Sequence, residues 1–494
     1  MDLFIQLAES IKKNESRPAF CIDSRFFTYK DLATAISEIR QYISLHIPVT
    51  EKVIGFVAND DLQTYASIIA LWFEGRAYVP LSPDSAEERN KFIIREAGIK
   101  TILDSSTTFS ASAGDKQPSS SSINLTPLQS GEQELVYILF TSGTTGTPKG
   151  VPITKANITS FAKNFNLLIN SINENDKWIQ MFDLGFDLSV MSFLIPLLNG
   201  ACVYTIPPKK IKYNYIFKLM TEDRITGALL VPSVIHYLRP YFSEIHSTDM
   251  KYCLFCGEAL LKDIAEEWQR CIPNAMLLNF YGPTENTIFC THYSLNKDNP
   301  ASNKSYNGVL SIGKCMQDTF AIVVDNNNKP IQAGEKGELC LGGSQLTPGY
   351  WNNPKRNEEA FFYTEYAGNQ ERFYKTGDFC MIDAEGDILF IGRMDTQVKI
   401  QGFRVELTEI EFHTKEFLTH TNAVATTFTN IAGNKEIALI IESEPINTHA
   451  LLDHLEKKLP AYMIPSHIGF CAELPYNKNG KVDRNSLKDL PAIK

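Results

Sequence analysis

Between residues 140 and 150 the chain reads FTSGTTGTPKG, directly after the apolar run Leu135-Val-Tyr-Ile-Leu. Gly143, Gly146 and Gly150 let the backbone take positive φ and approach a ligand closely. The hydroxyls of Thr141, Ser142, Thr144 and Thr145, the free backbone N–H groups and the Lys149 ammonium can together wrap phosphate oxygens. The Walker spacing, Gly-x-x-x-x-Gly-Lys-[Ser/Thr], is not met. A generic Gly/Thr segment is equally a flexible surface turn. Here the string lies between a predicted strand and a helix predicted to begin near Lys155, and that placement favours a phosphate-binding turn.

The rest of the chain supplies a scaffold large enough for such a site. Its 494 residues allow two to four domains at roughly 150 residues each. Hydrophobic residues make up 44% and charged residues 21%, as in a folded soluble protein. With 47 Lys plus Arg against 57 Asp plus Glu, the net charge of −10 argues against nucleic acid or anionic membrane as the main partner. The amino terminus lacks the basic and apolar regions of a secretory signal, and no run of about 18 apolar residues occurs. The ten scattered cysteines then read as reduced thiols of a cytoplasmic protein with no membrane insertion. The pair Cys253 and Cys256 has no second pair or nearby His to complete a metal site.

Strand and helix patterns alternate through residues 1–100 and again from about 175 to 300, which predicts parallel sheets with helices on their faces. Thr28 reads as a helix start, Leu62–Phe73 as a helix, and Ala77–Leu81 and Tyr252–Phe255 as strands. Residues 104–123, rich in Ser and Thr, read as a solvated surface loop. Residues 308–394 carry strands separated by Gly, Pro, Asn and Asp turns, the pattern of an antiparallel, barrel-like section. The last hundred residues, with helices predicted at 406–418 and 451–459 and a strand at 437–441, read as a small α+β unit.

The 140–150 string resembles the signature of the adenylate-forming superfamily, which includes acyl-CoA synthetases, luciferases and the adenylation domains of peptide synthetases. The other motifs follow in that family's order: Asn279-Phe-Tyr-Gly-Pro-Thr-Glu285, Gly337-Glu-Leu-Cys-Leu-Gly-Gly343 with Gly349-Tyr-Trp351, Tyr374-Lys-Thr-Gly-Asp378, Gly392-Arg-Met-Asp395, Lys399–Arg404 and Asn479-Gly-Lys481. The resemblance implies an α/β fold with a large N-terminal domain, residues 1–394, built from two parallel-type α/β subdomains plus a distorted β-barrel. A small mobile C-terminal α+β domain, residues 395–494, would swing about Asp395.

What the resemblance implies for chemistry is ATP-dependent joining of a carboxylate to AMP. Two anions must meet, so the site has to supply positive charge and positioning. Glu285 would hold Mg²⁺, a hard cation suited to oxygen ligands. Thr141, Ser142, Gly143, Thr144, Thr145, Gly146 and Lys149 would take the phosphates, with Thr145 counted among the catalytic groups. Asn279, Phe280, Tyr281, Gly282, Pro283, Thr284 and Phe390 would border the nucleotide, Asp378 would accept from the ribose hydroxyls, and Arg393 would assist. Lys481 would bridge the substrate carboxylate and ATP.

The string Phe186-Asp187-Leu-Ser-Val-Met191 resembles the substrate motif of amino-acid-activating members, where the Asp binds the α-ammonium group. A helix N-cap is the plainer role for such an Asp. Leu188, Met191, Cys256, Ile288 and Phe289 would border the same pocket. The closest likeness is to D-alanine:D-alanyl carrier protein ligases. Phe280, Ile288 and Phe289 depart from that pattern. The two phenylalanines either shrink the cavity toward glycine or alanine, or turn away and admit something larger.

The implied reaction is activation of a small amino acid and transfer to the phosphopantetheine thiol of a separate acyl or peptidyl carrier protein by a monomeric enzyme. Such carriers are acidic, so a local basic patch is expected. A carboxylic acid:CoA ligase and a non-catalytic nucleotide-binding scaffold are the alternatives.

Overall fold

The computed structural model describes residues 2–108, 123–143, 147–208, 210–418, 421–475, 482 and 484–487. Two sheets carry the first three hundred residues. In the smaller the order is Ile102–Leu103, Val53–Val57, Ala77–Leu81, Leu135–Thr141, Lys149–Thr154, all parallel except the last pair. The larger has nine strands. Its parallel centre runs Met276–Tyr281, Tyr252–Phe255, Gly227–Leu230, Lys177–Gln180, Cys202–Thr205, Pro18–Ile22, and its edges are antiparallel.

The helices Leu62–Phe73 and Asp187–Leu198 are apolar on nearly every face because they lie in the core that joins the two sheets. That core brings Phe56 and Tyr78 of one sheet together with Phe20, Trp178 and Leu254 of the other. Local chemistry fixes where helices begin. Thr28 and Asp31 form a capping box ahead of Tyr29–His46, and Asp61 accepts from the Thr64 N–H at 2.8 Å.

One expectation needs correction. The glycine- and hydroxyl-rich segment does not lead from strand to helix. It joins two antiparallel strands, Leu135–Thr141 and Lys149–Thr154, and the helix Lys155–Leu168 starts only after the second, capped by Thr154. The pattern hid the second strand because Lys-Gly-Val-Pro-Ile-Thr mixes charge, Gly and Pro with only two β-branched apolar residues. All six of its positions are nevertheless buried.

Residues 319–393 form the expected antiparallel section, a five-stranded sheet in which the 14-residue strand Asn369–Ile382 pairs with three of the other four. Its turn at Gly377, φ +72°, aims Asp378 at the site, and a Cβ there would lie 2.8 Å from Arg393 Nη2. Beyond it come the hairpin Gln397–Ile400/Phe403–Glu406 and a three-stranded sheet packed with helices Leu407–Phe417 and His449–Lys458 over a core of its own. Of the surface loop expected at 104–123, residues 109–122 lie outside the described residues. Among the described residues no helix is long and apolar enough to cross a membrane.

Candidate active site

Glu285 sits at the centre of the site with no exposure to solvent. Arg404 Nη1 reaches its two carboxylate oxygens at 2.8 and 3.1 Å, Lys149 Nζ lies 3.2 Å away, and the Tyr350 hydroxyl donates at 2.7 Å. Burial alone would raise this carboxyl, but Arg404 and Lys149 overcome it and hold the group well below the usual range. Lys149 bears the opposite strain. Burial, aided by the like charge of Arg404, brings its ammonium down to about 7 despite Glu285. Two cations thus crowd one carboxylate in a dry setting, where charge is worth more than in water.

Beside this cage lies a cavity of about 320 Å³ bordered by Asn279, Phe280, Tyr281, Gly282, Pro283, Asp378, Phe390 and Arg393. The Tyr281 hydroxyl donates to Asp378 Oδ2 at 2.5 Å, and Arg393 bridges Asp378 and Asp395 at 2.8 and 2.5 Å. Asn279 gives its Nδ2 to the Ser311 carbonyl, while its Oδ1 is buried without a partner among the described residues. A carbonyl oxygen so placed can accept a hydrogen bond from an exocyclic amine.

A second, much smaller cavity of about 40 Å³ is lined by Asp187, Leu188, Cys256, Gly257, Gly282, Thr284 and Ile288, among others. Asp187 is buried, and its Oδ2 has no hydrogen-bond partner among the described residues. Burial pushes its carboxyl up to about 6, with Thr284 and the Lys399 ammonium pulling the other way. It does not serve as an N-cap: Phe186 holds that position, without a side-chain cap bond.

A model of AMP-binding enzymes matches residues 7–351. The chain belongs to the AMP-binding enzyme family. Over 498 residues it is 28% identical to tyrocidine synthase 3 of Brevibacillus parabrevis, an alignment covering 98% of this chain and 8% of that protein. The chain therefore spans only a small part of that relative's length. Among solved structures, the Vibrio cholerae adenylation domain AlmE in complex with glycyl-adenosine-5'-phosphate superposes with a TM-score of 0.86 at 23% identity, covering 99% of this chain and 97% of that one. Holo-PA1221, an NRPS protein containing adenylation and PCP domains bound to a vinylsulfonamide inhibitor, gives 0.82 at 23% identity, covering 98% and 84%. These two likenesses speak for the fold.

Not every residue singled out in this AMP-binding enzyme faces a cavity. Met191 is fully buried in the core, and Phe289 packs against Phe280, with ring centroids 4.1 Å apart, and against Phe161 and Phe165. Neither Met191 nor Phe289 lines the small cavity, and Phe280 borders the larger one instead. Ile288 does line it, with a φ of +72°. Ser142 lies against the hairpin, donating to the Arg404 carbonyl at 2.6 Å, and Thr141 Oγ1 is buried without a partner among the described residues. Thr144, Thr145, Gly146 and Lys481 lie outside the described residues. Cys253 takes a hydrogen bond from Trp268 Nε1 at 3.3 Å, and no group of metal-holding side chains occurs among the described residues.

Three contributors were not singled out from the motifs. Tyr350 and Tyr374, whose hydroxyls lie 3.3 Å apart, belong to quoted strings but had no role there. A buried Glu285 demands donors, and that requirement is the signal that leads to them. Glu258 fixes the hairpin tip: its Oε1 accepts from Gly402 N at 3.0 Å and its Oε2 from Ser233 N at 2.8 Å. Gly402 has φ +84°, and a Cβ there would lie 2.4 Å from Val231 Cγ1. Gly402→Ala should therefore undock the tip. Strain at this φ and the clash with Val231 should lower the hydrogen-exchange protection of residues 397–406 about 10- to 100-fold, which exchange of wild type against the variant checks.

Proposed function

We propose that this chain is an ATP-dependent adenylating enzyme. It activates a small amino acid, glycine or alanine in size, as the aminoacyl-adenylate with release of pyrophosphate, and passes it to the phosphopantetheine thiol of a carrier protein. The observation that carries this reading is Asp187, a buried carboxylate with an unpartnered oxygen on a cavity of about 40 Å³. A buried anion requires a cation, and an amino acid brings its own; a fatty or aryl acid does not. The relative crystallised with glycyl-adenosine-5'-phosphate supports the same size class.

The nucleotide assignment draws support from the buried Asn279 oxygen, which suits the adenine amine, from the Asp378 carboxylate for the ribose, and from the unpartnered Thr141 hydroxyl beside the phosphate turn. The ionised oxygens of Glu285 suit Mg²⁺, which would neutralise phosphate charge when bound. Arg404 and Lys149 now serve that carboxylate. Lys481 and Thr145 are assigned to the phosphates and the substrate carboxylate by their motifs alone.

For the second half-reaction, an open cleft of about 810 Å³ runs between the larger body and the hairpin unit. Phe186, Val231, Tyr237, Phe403 and Tyr462 line it, and it shares Phe186, Leu188, Gly402 and Tyr462 with the small cavity. A thiol on a long, thin arm can reach the activated carbonyl by that route. The adenylation and PCP domains present together in a structural relative support a carrier as acceptor.

The test is an ATP–pyrophosphate exchange panel with glycine, both alanine stereoisomers, larger amino acids and simple carboxylic acids. Exchange should be confined to glycine and alanine. Exchange driven by acids lacking an α-amino group would instead favour a carboxylic acid:CoA ligase, and no exchange with any acid would sink the enzymatic reading.

A further inference from the structure

The turn that carries Glu285 continues in an unfavourable backbone. Thr287 has φ +49° and Ile288 φ +72°, two β-branched residues in succession in the left-handed region. Such a conformation persists where its surroundings over-determine it. Here the ties come from Gln345, which lies just beyond the strand Lys336–Gly343 and is fully buried. Its Nε2 donates to the Phe289 carbonyl at 2.9 Å and to the carbonyls of Asn286 and Thr287 at 3.3 Å each. Its own backbone carbonyl accepts from the Thr287 hydroxyl at 2.5 Å. The orientation of the amide is fixed in turn. Asn164 Nδ2, on the helix Lys155–Leu168, donates to the Gln317 carbonyl at 2.5 Å and to Gln345 Oε1 at 3.0 Å. A backbone carbonyl can only accept, so Asn164 presents its N–H groups and Gln345 its oxygen to them. A reversed Gln345 amide would set an oxygen against three carbonyl oxygens.

We propose that Gln345 is a positioning residue for substrate selection: by holding Thr287 and Ile288 left-handed, it keeps the Ile288 side chain on the wall of the cavity that contains Asp187. The proposal rests on the amino-acid reading above and extends it to a residue that borders neither that cavity nor the one beside Glu285. Without the amide, three carbonyls lose a donor in a dry interior, and the turn can recover their bonds only by moving. Relaxation of φ to negative values then carries the Ile288 side chain off the wall. Glu285 does not depend on this clamp. Its carbonyl accepts from Thr347 N at 2.9 Å, and its carboxylate is held by Arg404, Lys149 and Tyr350. The effect of Gln345 therefore falls on the amino acid and spares the nucleotide.

Gln345→Met keeps the length of the side chain and the backbone carbonyl but supplies no donor. In pyrophosphate exchange by the full chain, its preference for the better of glycine and alanine over valine, read as the ratio of kcat/KM, should fall about tenfold or more while the KM for ATP stays near that of wild type. Ile288→Ala should lower the same ratio directly. Adding Gln345→Met to it should lower the ratio no further, because the clamp acts through that side chain. Should Gln345→Met fail to fold, Asn164→Ser removes the donor that orients the amide and should lower the ratio in the same direction by less. A crystal structure of whichever variant folds gives φ at residues 287 and 288 directly, and both should have left the left-handed region. Equal losses for all three amino acids and for ATP, or losses that add in the double variant, would overturn the proposal. So would left-handed φ at both residues in the variant. Should the wild type show no amino-acid-dependent exchange, the function proposed above falls, while the same crystal structure still decides whether Gln345 holds the turn.

Discussion

Lys481→Ala should abolish amino-acid-dependent ATP–pyrophosphate exchange, by about 100-fold or more, the loss typical of removing one preorganised charge from a developing anion. Transfer from a supplied aminoacyl-adenylate to a thiol should stay within a few-fold of wild type. The division follows from which cations serve which step. With the hairpin docked, Arg404 and Lys149 surround Glu285, and a buried Lys399 lies near Asp187 and Cys256, so positive charge is present without any contribution from residue 481. Bringing a carboxylate onto a phosphate is harder. Arg404 and Lys149 are already paired with Glu285, so the phosphates require another ammonium, which the Asn479-Gly-Lys481 motif offers. Lys478→Ala is the control for a neighbouring charge and should change exchange little. Exchange at near wild-type rate in Lys481→Ala would remove that residue from the chemistry. Equal losses in both half-reactions would instead remove the division of labour.

The elements that could be read from the sequence were those whose residues carry their own reasons. Leu62–Phe73, Ala77–Leu81 and Tyr252–Phe255 fall where predicted because continuous burial enforces continuous apolarity. Thr28 and Asp31 mark a helix start by a local hydrogen-bond pattern that needs no tertiary context. The strand Lys149–Thr154 was missed because its Lys is buried for the sake of Glu285 and its Pro152 sits in an edge strand, so function and edge position both erase the usual signal. Similarly, the motif strings gathered Asn279, Tyr281, Asp378 and Arg393 around one cavity, but could not say that Phe289 would prefer the rings of Phe280, Phe161 and Phe165 to the pocket wall. The partnership of Arg404 with Glu285 spans more than a hundred residues and belongs to one arrangement of two units. A one-dimensional motif carries no information about such an arrangement.

Asp187→Asn should make the ligand-free protein more stable while weakening amino-acid binding by about 2–5 kcal/mol, the usual consequence of deleting one member of a buried charged pair. The two effects share one cause. The Asp187 carboxyl titrates at about 6 in the fold against 3.8 when free of it, so the folded chain binds this proton more tightly than the unfolded chain. Stability therefore falls as pH rises from about 4 to about 6, and at pH 7 the fold bears a cost of about 3 kcal/mol for holding the anion. Asparagine keeps the shape and removes that cost, so its melting temperature should exceed that of wild type at pH 7.5 and approach it near pH 4. A substrate ammonium would add to the nearby Lys399 charge in offsetting that cost, which is why a destabilising carboxylate is worth keeping. It follows that the Michaelis constant for the amino acid in the wild type should rise about tenfold per pH unit below about 6, as the carboxylate is lost, and that the asparagine variant should show no such slope. Melting curves at the two pH values and the pH profile of that constant test both halves. A variant less stable than wild type at pH 7.5, or a wild-type profile flat through pH 5, would show that Asp187 is not the ammonium site.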